Sequence, residues 1–461
     1  MQPGSGTFIN HLAVVLIAAV TALLSASCLQ TGHDSGDDFA LYVLEAKAIT
    51  EGSLGELAET NRFCMEHSML KPGPALYPVG YPLLLAPVYA AGGLDFFALK
   101  WINVLLLAGC IPLFFCLFSF HGHQTMLNAI VVILAVWQME IIAFPDQLLS
   151  EISFLFFSLL ALWLMQRPLG NVNGMLTGVA IFTAYLVRDA GFFLLPALAV
   201  YQYAQFKNKQ KGISWKPWWT FLLLFILLYT LIPYGGWYHW RKMYTGFDLP
   251  LWRDNLIYYS NTWMQLLFKY DTIWLRAIAA LTVTAGMISN LRRHPHLVVF
   301  AAGLAGMTIL WPVQIGVRAL IPMMPFVVFF LVTGVMFLAD RIRVHKTLVL
   351  GLLVVLTVFL TYRNIMFIRE RNETVVTNEI YTPETIELYT WLKQNTPADA
   401  VIGFDKPRAL LLFTGRRSIH TGAGHFEGSV ADWLLLEKPG IQPPGITKIF
   451  ETKSFCVYRK Q

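Results

Sequence analysis

Charge is what this sequence has least of. Only 13% of its 461 residues are Asp, Glu, Lys or Arg, against 56% that are apolar. That balance excludes an ordinary soluble domain and points to a polytopic membrane protein. The small excess of Lys and Arg, 34 against 28 acidic residues, carries no implication of nucleic acid. In such a chain the placement of basic residues among loops matters more than their sum. Cofactor signatures are missing as well. Five cysteines form no ligand-spaced cluster, and His33, His67, His420 and His425 stand alone. No phosphate-cradling glycine loop with its lysine, no serine-nucleophile elbow and no zinc-protease helix motif occurs. This argues against a soluble nucleotide as the energy source. No internal repeat is visible. No Lys or Arg precedes the first apolar run, Phe8–Leu29, and no small-x-small cleavage site follows it, so it reads as an uncleaved first helix rather than a signal peptide.

What is present in abundance is membrane-length hydrocarbon. A helix needs about 20 apolar residues to cross the bilayer core. Runs near 8–29, 97–119, 125–144, 149–166, 172–187, 190–206, 218–238, 272–290, 296–313, 319–339 and 345–362 give about eleven spans by that criterion. The basic clusters Arg167, Lys207–Lys211, Arg292–His294 and Arg341–Lys346 fall on one side of this threading, which the positive-inside rule makes cytoplasmic. The expectation is a mainly α polytopic bundle, with its N-terminus and Lys209 and Arg293 inside. Arg62 and the tail around Asp399 then face outside.

Three segments on the outer side have substance. The first loop, 30–96, carries Leu41, Leu44, Ala48 and Ile49 at helical spacing, which predicts an amphipathic helix on the membrane surface. A second segment, 239–271, is dense in aromatics and charge and is expected at the interface. Third, the chain divides into a transmembrane part, 1–364, and a small α/β module, 365–461. In the module a helix is predicted from Pro383 to Gln394 with Thr382 as N-cap. A strand over Ala400–Phe404, a helix from Pro407 to Phe413 ending at Gly415, and a last strand over Ser454–Tyr458 follow. With no acidic pair beside a base, the module is expected to support the bundle and contribute no catalytic group. Cys64 and Cys456 both fall outside the membrane, which leaves a bridge between them open. Cys110 and Cys116 read as small apolar thiols.

The candidate chemistry sits in and around the first loop. Asp37 and Asp38 open a helical pattern in which Tyr42 lies on the same face as Asp38; the alternative is that they cap the helix. Lys71, in LKPGPALYPVGYP, would be a point-charge phosphate partner held at fixed reach by prolines, or a headgroup anchor. Glu151, the Arg188–Asp189 pair and Arg318 stand at outer ends of apolar runs. Ionisable groups at that depth are costly, which makes each a functional candidate unless it snorkels or pairs locally.

In consistent order along most of the chain, these residues resemble the C-type glycosyltransferase superfamily. The likeness is to its bacterial branch of protein O-mannosyltransferases and lipid A aminoarabinose transferases. The string DFALYVLEAK is similar to the family motif Asp-Glu-x-x-Tyr followed by Ala-Arg: Asp38 matches the catalytic aspartate, Tyr42 the tyrosine, and Ala46 with Lys47 the Ala-Arg pair. Phe39 replaces the second acid, and Asp37 is its candidate stand-in. LKPGPALYPVGYPLLLAPVY, with Lys71, Tyr77 and Tyr81, looks like the family's Lys-Pro passage. LLSEISFLFF, LVRDAGFFLLP and VRALIPMMP supply Glu151, Arg188 and Arg318. The resemblance implies a polyprenyl-phosphate sugar donor and a glycan, lipid or protein acceptor. It also implies inverting single displacement on the outer face of a bacterial inner membrane. No cofactor is expected, although two adjacent carboxylates could hold a divalent ion. The competing class is a non-enzymatic lipid or solute transporter, which the missing repeat and the charges at the outer rim disfavour.

Overall fold

The computed structural model describes residues 5–33, 36–70, 73–118, 125–168, 170–208, 212–231, 248–268, 272–373, 382–438 and 446–460. Each apolar run meets a helix. In chain order these are Ser5–Ala26, Phe96–Leu117, the pair Thr125–Val136 and Met139–Ala143, Glu151–Gln166, Asn171–Val187, Leu194–Lys207, Lys216–Leu231, Ile273–Asn290, Pro295–Leu310, Met324–Arg341 and Lys346–Glu373. Among the described residues, four helices are long and apolar enough to cross a membrane unaided: Phe96–Leu117, Ile273–Asn290, Met324–Arg341 and Thr347–Glu370. A fifth span arises if the pair bent by 65° after Val136 counts as one. The apolar stretches His11–Ala26, Glu151–Gln166, Asn171–Val187, Lys216–Leu231 and Pro295–Leu310 are shorter.

Reversal at each turn sorts the side chains between two ends. Glu151, Arg188 and Arg318 converge at one end. At the other, Gln166 meets His296, Nε2 to Nε2 at 3.0 Å. The basic turns after Gln166, Asn290 and Arg341 share that second end, away from the converging charges; Lys209 and Lys211 lie outside the described residues.

Close packing in the bundle is set by small residues. A Cβ on Gly286 would lie 1.9 Å from the Phe330 carbonyl oxygen, and one on Gly334 1.9 Å from that of Thr282. The helices Ile273–Asn290 and Met324–Arg341 therefore touch backbone to backbone, as small residues permit between apolar helices. Asn290 Nδ2 donates to Thr333 Oγ1 at 3.1 Å beside this crossing.

The first loop folds into three helices, Asp38–Glu51, Leu54–His67 and Gly80–Gly92. Its start is pinned by Lys100, whose fully buried ammonium donates to Gln30 O at 3.0 Å, to Gly32 O and to Asp146 at 2.7 Å. The helix Asp38–Glu51 corrects the expectation of an amphipathic surface helix. Phe39 to Ala46 and Ala48 are all buried, because Gly80–Gly92 covers one side and a tail helix the other. Lys47, Thr50 and Glu51 in its last turns are its solvent-facing polar residues, whereas Asp38, Tyr42 and Glu45 are not a wet face. These three make hydrogen bonds inside the protein.

The tail forms a five-stranded sheet of order β2-β1-β3-β5-β4, with β1 Val401–Phe404, β2 Arg417–His420, β3 Trp433–Glu437, β4 Thr447–Glu451 and β5 Phe455–Arg459. β1 runs parallel to β2 and β3, while β5 is antiparallel to β3 and β4. Helices Pro383–Asn395 and Pro407–Thr414 lie close to the predicted bounds. Thr382 caps the first by accepting from Thr385 N, and Gly415 ends the second at φ 70°. Leu388, Leu392, Ile402, Leu410, Trp433 and Val457 form its core. Strands β2, β3 and β4 were not anticipated. Cys64 and Cys456 are both buried free thiols, so the bridge left open by the sequence is not formed.

Candidate active site

The converging charges surround a cavity of about 340 Å³ lined by Asp38, Tyr42, Tyr77, Arg188, Asp189 and Arg318, among others. Its charged residues come from breaks between helices. Asp38 opens its helix a few residues after the bend at Thr31 and Gly32. Arg188 follows Val187 in extended backbone, φ −151° and ψ 138°, before a short 3-10 turn over Asp189–Phe193. Arg318 lies in the 3-10 turn Gly316–Ala319 between Pro295–Leu310 and Met324–Arg341. That turn is supported by the aromatic helix Leu249–Phe268. Asn255 Nδ2 donates to the carbonyls of Ile309 at 2.9 Å and Trp311 at 2.8 Å, and Tyr259 Oη accepts from Ile315 N at 3.2 Å. Unpaired carbonyls at a helix end need such partners.

One network joins the functional groups. Tyr77 Oη donates to Asp38 Oδ1 at 2.6 Å. Arg318 Nη1 donates to Asp38 Oδ2, and its Nε donates to Glu151 Oε1 at 2.9 Å. Arg188 Nη1 reaches the same Glu151 oxygen at 2.7 Å and Ser150 Oγ at 3.2 Å. Ser150 Oγ in turn lies 3.0 Å from Tyr42 Oη. Glu151 is fully buried, whereas the Arg188 and Arg318 side chains keep 24% and 25% of their surface exposed. The carboxylate thus holds two guanidiniums from behind while their free edges face the cavity. Arg188 finds a partner in Glu151 on the helix Glu151–Gln166.

Electrostatics separate the two adjacent aspartates. Burial by itself raises the Asp38 pKa, but the Arg318 charge, hydrogen bonds from Tyr77 and Arg318, and the Arg408 charge together hold it below the usual carboxylate range. For Asp37 burial prevails over Arg408 and two backbone hydrogen bonds, and its pKa is raised. Glu45 is pushed well up by burial and accepts from Tyr77 N at 2.6 Å. Through that hydrogen bond Glu45 holds the loop backbone at Tyr77 against the helix Asp38–Glu51.

The candidates divide accordingly. Asp38, Tyr42, Tyr77, Arg188 and Arg318 line the cavity. Glu151 lies one layer behind. Tyr81 is fully buried, accepts from Asn103 Nδ2 at 3.0 Å and stands edge-on to the Tyr42 ring, 5.1 Å between centroids. It braces Tyr42 without lining the cavity. Lys71 lies outside the described residues. Asp37 does not line the cavity either. Its Oδ1 accepts from Arg408 N at 2.8 Å and Ala409 N at 3.1 Å. It therefore caps a helix, but the tail helix Pro407–Thr414 and not the one that follows it, for which it makes no side-chain cap.

Arg408 was missed altogether. Its side chain is buried, donates to Tyr77 Oη at 3.2 Å and Pro74 O at 2.8 Å, and comes within 3.9 Å of Asp38 Oδ1. The tail, expected to support the bundle and contribute no catalytic group, reaches the wall of the cavity through this residue. Nothing local marks it, because every partner lies more than 300 residues away. Among the described residues no three His, Cys, Asp or Glu side chains gather to hold a metal ion.

No family model matches the sequence, and neither does any curated protein. Solved structures do. ArnT from Cupriavidus metallidurans bound to undecaprenyl phosphate is similar at TM-score 0.60 and 10% identity, over 99% of this chain and 98% of that one. This chain has the C-type glycosyltransferase fold. The apo state of the same ArnT gives TM-score 0.57 at 13% identity, over 96% and 97% of the two chains. The GT-C likeness extends to the archaeal oligosaccharyltransferase AglB from Archaeoglobus fulgidus in complex with an inhibitory peptide and a dolichol-phosphate. There the TM-score is 0.51 at 11% identity, over 93% of this chain and 69% of that one.

Proposed function

We propose that this protein is a membrane glycosyltransferase that moves a sugar from a polyprenyl-phosphate donor to a cell-envelope acceptor, with Asp38 as the base. The observation that carries the reading is the cavity in which one ionised carboxylate, Asp38, faces two partly exposed guanidiniums, Arg188 and Arg318. Such a pairing of a proton acceptor with an anion clamp suits displacement of a phosphate from an anomeric carbon. The fold is shared with an enzyme solved with undecaprenyl phosphate.

In the proposed reaction the donor phosphate binds the free edges of Arg188 and Arg318 and its lipid tail stays in the bilayer. Arg318 then has two anions to serve, and its hold on Asp38 weakens, so that the basicity of Asp38 rises toward an ordinary carboxylate. An acceptor hydroxyl or amine gives its proton to Asp38 as its oxygen or nitrogen bonds to the anomeric carbon. The carbon–oxygen bond to phosphate breaks on the opposite face, and the polyprenyl phosphate leaves with that electron pair. One displacement inverts the anomeric centre. The reading includes no metal cofactor. Eleven spans, an N-terminus and basic turns inside, and a tail outside a bacterial inner membrane complete it. Its support is the separation of the site from the basic turns along the bundle.

Mass spectrometry of envelope glycans and polyprenyl phosphates, with and without the protein, tests the reading. The expected result is loss of one modification with accumulation of one lipid-linked sugar. Unchanged glycans and lipids would overturn it.

A further inference from the structure

We propose that Arg408, delivered by the tail, is a positioning residue of the reacting centre, holding Tyr77 and the turn at Pro74 so that Asp38 is presented to the cavity in one orientation. The inference rests on the reading of Asp38 as the base. It goes further in making the extramembrane tail an integral part of the site.

Stability alone does not account for this arginine. It is 1% exposed, and a buried ion pair is often replaceable as a whole by apolar side chains at no loss of stability. It stands in the first turn of Pro407–Thr414, where the helix dipole disfavours positive charge. Among the described residues its Nε makes no hydrogen bond, with Asp37 Oδ2 at 3.9 Å. What it does reach is one wall of the cavity, since Gly73, Pro74 and Tyr77 are lining residues. Nη2 donates to Pro74 O at 2.8 Å, and the guanidinium carbon lies 5.2 Å from the Tyr77 ring centre. A Cβ on Gly73, at φ +104°, would come within 3.2 Å of Nη2.

The decisive contact is at the Tyr77 hydroxyl. A phenol has one proton to give and an oxygen that can accept. Arg408 Nη1 donates to that oxygen at 3.2 Å, which leaves the proton directed at Asp38 Oδ1, 2.6 Å away. Asp38 Oδ2 meets Arg318. The carboxylate is thereby fixed at both oxygens. The groups facing it are Tyr77 from the loop wall, Arg318 from the 3-10 turn, Arg408 from the tail, and its neighbour Asp37.

The test uses full-length protein in nanodiscs, with carbon-13 aspartate and infrared titration of the Asp38 carboxyl, identified by its loss in Asp38→Asn. Transfer is read in parallel as restoration of the envelope modification in cells lacking the protein. Arg408→Gln should raise the Asp38 midpoint by on the order of one pH unit and lower transfer at least about tenfold. Arg408→Lys should hold the midpoint near wild type and transfer at an intermediate level, since it keeps the charge and loses the fork. An unshifted midpoint in folded Arg408→Gln, with any loss of transfer matching a loss of thermal stability, overturns the proposal. Should Arg408→Gln not fold, Arg408→Lys in wild-type and Tyr77→Phe backgrounds decides. Its effect should vanish without the Tyr77 hydroxyl, and additive losses would overturn the proposal. Normal transfer by Asp38→Asn sinks the base assignment instead, and is told apart because the infrared shift does not depend on transfer.

Discussion

Asp37 accepts two backbone hydrogen bonds from the N-terminus of the tail helix Pro407–Thr414, the nearer from Arg408 N at 2.8 Å across 371 positions of sequence. An acidic side chain at a helix N-terminus satisfies unpaired N–H groups and complements the dipole. The same contact draws the Arg408 side chain against Tyr77. Two consecutive aspartates are thus divided between fixing the tail and facing the cavity.

The stability of Asp37 variants follows from this. The Asp37 pKa is raised in the folded protein, so its ionisation costs stability. The protein is helped below the ordinary aspartate pKa, and that help is lost as pH rises through the folded pKa. Asp37→Asn keeps an acceptor oxygen and removes the buried charge. It should melt at or slightly above the wild-type temperature at pH 7, with the difference shrinking as pH falls through that window. Asp37→Ala loses the cap and should cost about 1 kcal/mol. Thermal melting across pH 4 to 8 checks both, and a large destabilisation by Asn would show that ionic pairing with Arg408 dominates.

Asp38 variants should separate binding from chemistry. A missing general base typically costs about 10²–10⁴-fold in rate. Asp38→Asn should therefore insert, fold and bind undecaprenyl phosphate while transferring almost nothing. Asp37→Asn should retain measurable transfer, because its carboxylate faces the tail. Transfer and lipid binding by the two purified variants are compared directly. A dead Asp37→Asn beside an active Asp38→Asn would reverse the assignment.

Much of this site was legible because membrane sequences expose their exceptions. Glu151, Arg188 and Arg318 interrupt apolar runs, and a charge at such depth must find partners. Asp38 and Tyr42 share a helix face by spacing. The tail helices announced themselves through Thr382, Pro383, Pro407 and Gly415, whose turn and cap chemistry is local. What could not be read was relation across distance. Helix Asp38–Glu51 has the periodicity of a surface helix, yet Gly80–Gly92 and the tail cover it. Arg408 carries no local signal, since its role exists only once the tail has docked.

Bundle packing offers a test remote from the site. A side chain at Gly286 would drive into the backbone of Phe330, 1.9 Å from its oxygen. Helix Met324–Arg341 follows directly on the turn that carries Arg318. Gly286→Leu should lower the melting temperature by the equivalent of roughly 1–3 kcal/mol or more and weaken undecaprenyl phosphate binding through displaced Arg318. Leu at Gly306, where an added Cβ meets nothing within 4 Å, is the control and should be nearly silent. Equal melting of the two variants would show that the helices can separate without strain.

Glu151 sets the terms on which the arginines meet an anion. Its buried carboxylate receives Arg188 at 2.7 Å and Arg318 at 2.9 Å on a single oxygen. Removing one partner of a buried ionic group typically costs about 3–5 kcal/mol, because the remaining charges lose their compensation. Glu151→Gln should therefore be clearly destabilised in the ligand-free state. A bound phosphate can supply the missing negative charge from the cavity side, so undecaprenyl phosphate should rescue this variant more than it stabilises the wild type. Arg318→Gln should show the opposite pattern, with modest destabilisation and lipid binding weakened about tenfold or more. It should also remove most of the Asp38 pKa depression, since Arg318 supplies its largest attraction. Melting curves of both variants with and without undecaprenyl phosphate distinguish these outcomes. An equal shift by the lipid in wild type, Glu151→Gln and Arg318→Gln would mean that the phosphate binds away from this pair of arginines.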